Sequence, residues 1–384
     1  MHRSLRVAPP GRVGAHGRGM DLRDAADPFP ELPGRSPAPD DTDRPVVRVG
    51  DPGDLVAGLP ALLGYHPRES LVLAALGGGS GRRVGLVARG DLPAPEHVRE
   101  LVTSLAGSIA SQQPRAALAV LVSEAPDEVP DAVDLPHRVL VHELVVALDA
   151  RGVPLAQVLL ARGGRWWDYD CPHPCCAPGA GTPVPAGIGE LAVAAVAAGT
   201  VVAPDRAALA ERLAPPGESA RAAMEAVVLR TGREGLRRPA ARQRIAAAVG
   251  RCRPGRPGRR LRDDEVARIA WSLRDGETRD WALLLSLGED ARAAEALWTE
   301  CTRRAPAPLD AGPAALVALG AWLRGDGAMA NTALDRALDS DPGNSLARLL
   351  QDAFRACVPP ALLRELLAEA GRAAGTAERA GAAG

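Results

Sequence analysis

The chain has no lysine; every basic residue is an arginine. That absence excludes chemistry built on an ε-amine: Schiff bases with carbonyl substrates, pyridoxal phosphate attachment and a Walker A phosphate loop. Aromatic residues make up only 3% of the 384, so the cores must be built from Leu, Val and Ala. Long apolar runs are missing too. The longest, residues 191–203, is Ala-rich and falls short of the roughly 20 residues a membrane-spanning helix needs. The first residues carry arginines without an apolar stretch before a cleavage site, so no secretory leader is expected. Net charge is −1, which leaves no general attraction to polyanions. A cytoplasmic protein with no membrane role is expected.

What the chain does have is Ala, Gly, Arg and Pro in excess, the signature of GC-rich bacterial codons. Residues 1–43 lack apolar periodicity and are expected to form a disordered tail, with Met1 or Met20 as the true start. An α/β domain is expected over residues 44–185. It begins with a short strand at Val46-Val47-Arg48-Val49 and a helix capped by Asp51 or Asp54 that ends at Gly64. Strands are expected at 71–76 and 83–88, joined by a flexible glycine-rich hairpin loop at 77–81 that a strand follows, which disfavours a phosphate cradle. A helix at 96–109, a strand at 116–122, a helix at 135–148 and a strand at 155–161 complete a mixed sheet. Trp166-Trp167-Asp168-Tyr169 and a Pro-rich loop close the domain.

From residue 188 onward period-two alternation disappears and helical spacing takes over, so residues 186–360 read as an all-α domain. An arginine-rich linker interrupts it at 251–262, and a C-terminal helix with an Ala/Gly tail follows at 361–384. Ala330, Leu334, Ala337 and Pro342 have the same spacing as Ala294, Trp298, Cys301 and Pro306. This resembles the tetratricopeptide pattern of small residues between paired helices, with Gly325-Asp326 at the turn.

Two groups of residues are candidates for chemistry. His66, Glu69 and Ser70, with Asp91 after the next strand, supply the residue types of a nucleophile, base and orienter, but Ser70 lies in no G-x-S-x-G elbow. Antiparallel pairing of the two strands should bring Tyr65, His66, Arg68, Glu69 and Ser70 beside Arg89 and Asp91 in one polar patch, with Arg68 or Arg89 paired to Asp91. The second group is Cys171-Pro172-His173-Pro174-Cys175-Cys176, where three thiols and an imidazole can supply a zinc site or a redox pair. The C-x3-C-C spacing favours a metal-free, proline-braced loop instead, because adjacent Cys175 and Cys176 are not expected to face one ion together. His142-Glu143 lacks the second histidine of a zincin helix and reads as helix surface.

Several blocks together resemble the bacterial, largely actinobacterial family catalogued as domain of unknown function 4192. They are Leu62-Leu63-Gly64-Tyr65-His66-Pro67 with Ser70-Leu71-Val72, Arg89-Gly90-Asp91-Leu92-Pro93, and Trp166-Trp167-Asp168-Tyr169 with Cys171 and Cys175-Cys176. Ala321-Trp322-Leu323-Arg324-Gly325-Asp326-Gly327 and Ser345-Leu346-Ala347-Arg348-Leu349-Leu350 extend the resemblance, which runs over residues 46–360. It implies a soluble protein and carries no established activity. Gly90 departs from the bulkier residue usual in its block, leaving open whether it lines a site.

The expected function is a binding or adaptor role in which the helical half engages a protein partner, through an apolar groove. The alternatives are a hydrolase-like enzyme working at His66, Ser70 and Asp91, and nucleic-acid association through the arginine-rich linker.

Overall fold

Asp51 starts the first helix by accepting the amide proton of Gly53, with Pro52 supplying a helix-ready φ at the first position. A computed structural model of the chain describes residues 51–382 apart from 79–82, 127–133, 188, 190, 194–200, 233–237 and 256–259. The expected tail and the strand at Val46-Val47-Arg48-Val49 lie outside the described residues, as do most of the glycine loop and the centre of the arginine-rich linker. Helix α1 (Pro52–Leu63) stops at Gly64, whose φ of 77° is the left-handed value glycine adopts without strain.

The chain then enters a six-stranded mixed sheet of order β2-β1-β3-β4-β5-β6. Its strands are β1 (Ser70–Gly77), β2 (Arg83–Asp91), β3 (Ala116–Val122), β4 (Leu155–Arg162), β5 (Arg165–Asp168) and β6 (Thr182–Pro183). β1 runs antiparallel to both β2 and β3, whereas β3 and β4 are parallel, as a helical crossover requires. Strand pattern decides the layering. Leu71, Leu73 and Ala75 point to the face covered by α2 (Val98–Ser111) and α3 (Arg138–Asp149), while Val72 points to the face covered by α1. Each fully buried leucine contributes roughly 2 kcal/mol of transfer free energy, so this three-layer core does not need aromatics. The segment expected to close the domain is in part sheet: β5 pairs with β4, and β6, in the Pro-rich stretch, with β5. Both are too short for alternation to reveal them.

Helices follow: α4 (Arg206–Glu211), α5 (Glu218–Gly232), α6 (Arg238–Arg251), α7 (Asp263–Ser272), α8 (Gly276–Leu284) and α9 (Ala291–Arg304). They continue with α10 (Ala311–Leu323), α11 (Gly327–Ser340), α12 (Ser345–Arg355) and α13 (Pro360–Ala382). α10 is the axis of this half. It is buried on nearly every side, as a helix that is apolar all round must be, and packs on α8, α9, α11, α12 and α13. α10 and α11 form a tight hairpin turned at Gly325-Asp326, with Asp326 capping α11 through the Met329 amide. The spacing-matched partner unit is not a second such hairpin: α8 turns away from α9 to lie against α6, α10 and α13. An all-round apolar α10 needs cover from several directions, and that competes with repeat stacking.

The two halves touch where α1 ends. Tyr65 forms a parallel bridge with Ala203, through His66 N–H to the Ala203 carbonyl at 3.2 Å and Ala203 N–H to the Gly64 carbonyl at 2.8 Å. The Tyr65 ring is buried in the helical core beside Ala203, Leu209 and Leu213.

Candidate functional site

The hairpin register puts Ser70 opposite Asp91, and the polar residues flanking the two strands do meet there. Arg89 is the hub. Its Nε and Nη2 donate to Ser70 Oγ at 2.9 and 2.7 Å, and Nη2 lies 2.5 Å from Asp91 Oδ1. The guanidinium also stacks 5.9 Å from the centre of the Tyr65 ring. Burial raises the Tyr65 pKa, and the Arg89 charge opposes the shift. Ser70 is fully buried and donates to the Arg68 carbonyl at 2.5 Å. Its hydroxyl is thus held between the Arg89 guanidinium and the Arg68 carbonyl. The His66 ring is exposed and bonds neither Ser70 nor Asp91, so the expected enzyme constellation does not assemble. Ser70 begins a strand buried on both faces, whereas His66 lies in the connection before it.

Glu69 faces a different set of partners. Its φ of 36° is rare outside glycine, and it turns the carboxylate toward the end of β3. There it accepts from Ser123 Oγ at 2.7 Å and from the Glu124 amide at 2.7 Å. His137, left-handed at φ 62° just before α3, brings its Nε2 within 3.0 Å of the same hydroxyl. With the Ser123 proton given to Glu69, His137 must donate, as the Ala125 amide also does. Ser123 and His137 were not among the residues singled out from the sequence. Ser123 directly follows a buried strand at the carboxyl end of the parallel pair, where open α/β sheets gather polar groups. Ser123 is only 1% exposed, so a substrate cannot reach its oxygen. The network fixes the β3 end against β1 and α3.

Gly90 does not line a site. Leu101 of α2 occupies the space a side chain would need, and an added Cβ would sit 2.3 Å from Leu101 Cδ1.

In the cysteine loop, a short 3-10 turn at Pro174–Cys176 swings adjacent thiols to one side. The sulfurs of Cys171, Cys175 and Cys176 lie within 4.8 Å of one another, and His173 is outside that group. This corrects the expectation that Cys175 and Cys176 cannot face a common point. In the 3-10 turn, adjacent residues do not alternate sides as they would in a strand. Cys176 is buried under Trp167 and Tyr169, and burial pushes its thiol up to about 12. Tyr169 anchors the loop by donating to the Pro136 carbonyl at 2.6 Å, and burial raises its pKa as well. Tyr169→Phe is expected to cost about 1–2 kcal/mol, because the buried carbonyl loses its partner. The folded pKa lies above the unfolded value, so the stability linked to this proton is intact below about pH 10 and lost as pH rises further. Urea midpoints measured across alkaline pH should fall less steeply for Tyr169→Phe than for the parent.

The helical half carries a groove of about 610 Å³ along α9. Arg292, Glu295, Ala296, Thr299, Glu300 and Arg303 line it at spacings that put them on one helix face, while Ala294, Leu297, Trp298 and Cys301 point into the core. Arg260 and Arg304 add to the lining. The acids are already engaged: Glu300 with Arg304 and Glu295 with Arg324. Arg303 reaches only the Ala214 carbonyl, at 3.3 Å. The lining therefore sets four arginines and two glutamates among apolar atoms, with Pro216 and Ala296 at its wall. A smaller cavity of about 240 Å³ shares Arg292, Glu295 and Thr299 and extends to Leu62, Gly64 and Asp326. In the arginine-rich linker, Arg251, Arg253 and Arg262 are paired to Glu265, Asp290 and Asp264. Arg260 is exposed, and residues 256–259 lie outside the described residues. His142-Glu143 is helix surface, with Glu143 bridged to Arg99 at 3.2 Å. No helix among the described residues is long and apolar enough to cross a membrane.

Two stretches that carry the family resemblance, Leu62-Leu63-Gly64 and Arg324-Gly325-Asp326, thus face each other across that smaller cavity, and a third, Arg89-Gly90-Asp91, stands behind Tyr65. No curated protein and no solved structure matches the chain. The family model described as Domain of unknown function (DUF4192) matches residues 52–361, which spans both the sheet and the helices, and the chain belongs to that family.

Proposed function

We propose that this chain is a cytoplasmic bacterial binding protein whose helical half grips an acidic segment of a protein partner. One observation carries the reading: the groove along α9 presents Arg260 and Arg303 while its own glutamates are already engaged by Arg304 and Arg324. A row of guanidinium groups in a concave surface recognises carboxylates, often in bidentate fashion. The charged residues of the groove favour an acidic strand or tail as the partner, in place of one held by an apolar groove. Six free cysteines fit a reducing compartment.

Fluorescence anisotropy with a labelled oligoglutamate peptide tests this. The peptide should bind, weaken as salt screens the contacts, and lose about 10-fold or more in affinity with Arg303→Glu. Equal affinity for parent and variant would discard the reading. Tighter binding of a single-stranded oligonucleotide of matched charge would replace it with nucleic-acid association.

A further inference from the structure

We propose that Cys171, Cys175 and Cys176 form a three-thiolate site for a thiophilic divalent cation, zinc in the cell, that staples the loop after β5 to the edge of the sheet. The Sγ atoms of Cys171 and Cys175 are 3.9 Å apart, as are those of Cys175 and Cys176, and all three lie within 4.8 Å. Ligands at zinc–sulfur distances of roughly 2.3 Å occupy tetrahedral corners separated by about 3.8 Å. Three sulfurs therefore already stand near three corners of such a polyhedron. Disulfide formation would require the sulfurs to close to roughly 2.05 Å.

The loop is held by its own backbone contacts. Cys171 N–H reaches the Asp168 carbonyl at 3.3 Å, and Cys176 N–H reaches that of His173 at 3.0 Å. Pro172 and Pro174 fix two further φ angles. In addition, the Asp168 amide points at Cys176 Sγ from 3.3 Å. An N–H donated to sulfur is the kind of contact that orients and stabilises a metal-bound thiolate from outside. Cys176 is buried and Cys175 exposed, so the fourth position opens toward solvent. On binding, three S–H protons leave and three S–metal bonds form, with no change of oxidation state.

Cobalt(II) titration of the full-length protein, reduced and freed of metal by chelator, tests the assignment. About one cobalt per chain should bind, with thiolate-to-metal charge-transfer bands and the intense visible bands of four-coordinate geometry, and zinc should displace it. Cys175→Ser should weaken cobalt binding by at least about 100-fold while far-ultraviolet circular dichroism stays unchanged, since the side chain is exposed. His173→Ala, on the same loop, should keep the bands. Zinc should also raise the melting temperature of the parent and leave that of Cys175→Ser unmoved. A folded parent that gives no charge-transfer bands with cobalt would overturn the proposal, as would bands that survive in Cys175→Ser or vanish in His173→Ala.

Discussion

Replacing Trp298 with alanine is expected to cost about 4 kcal/mol. Trp298 is completely buried at the centre of α9, and it is the largest of the fully buried residues. Small neighbours such as Ala294 and Cys301 on its own face cannot swing in to refill the space. Its indole N–H finds no hydrogen-bond partner. Trp298→Phe therefore removes an unsatisfied donor and keeps most of the ring, so it should cost about 1 kcal/mol or less. Urea denaturation of the two variants separates volume from hydrogen bonding. Equal losses would mean that the indole nitrogen does contribute a bond. The alanine variant should also soften the arginine groove, because the same helix carries both faces.

Asp310→Ala is expected to cost about 3 kcal/mol. The carboxylate is fully buried at the start of α10; Ser340 donates to one oxygen, and Arg336 lies 2.7 Å from the other without hydrogen-bond alignment. Both partners are on α11, so Asp310 locks the open end of the α10–α11 hairpin opposite the Gly325-Asp326 turn. Removing it strands a cation, but Arg336 is 34% exposed and can turn toward water, which keeps the loss below the top of the range for broken buried pairs. Asp310→Asn should recover part of the stability by retaining the Ser340 contact. Chemical denaturation of both variants reads this directly, and an asparagine variant as weak as alanine would show that charge is all that matters.

The order of sheet then helices was legible because apolar spacing changes from period two to period 3.6 near residue 188. So was the meeting of Ser70 with Asp91, since a hairpin fixes which ends adjoin. Partner choice within that patch was not. Arg89 turned to Ser70 and Asp91, whereas Glu69 turned to Ser123 and the Glu124 amide, remote in sequence at the end of β3, where Ser123 also meets His137. The thiol cluster was misjudged because local backbone geometry, not spacing, decides whether adjacent side chains converge. The groove arginines were readable as one face of α9, yet in a chain whose every base is arginine that stripe does not stand out.

The Tyr65–Ala203 bridge joins segments that lie on either side of the entire sheet in the sequence. Tyr65 leaves α1 as part of the first half but completes the core of the second. Contacts of such long sequence separation form late in folding and tie the fates of the pieces they connect. Cutting the chain between β6 and α4 would leave the helices with a tyrosine-sized hole and the sheet with an exposed aromatic ring. The two halves should therefore melt in one cooperative transition, neither acting as an independent folding unit.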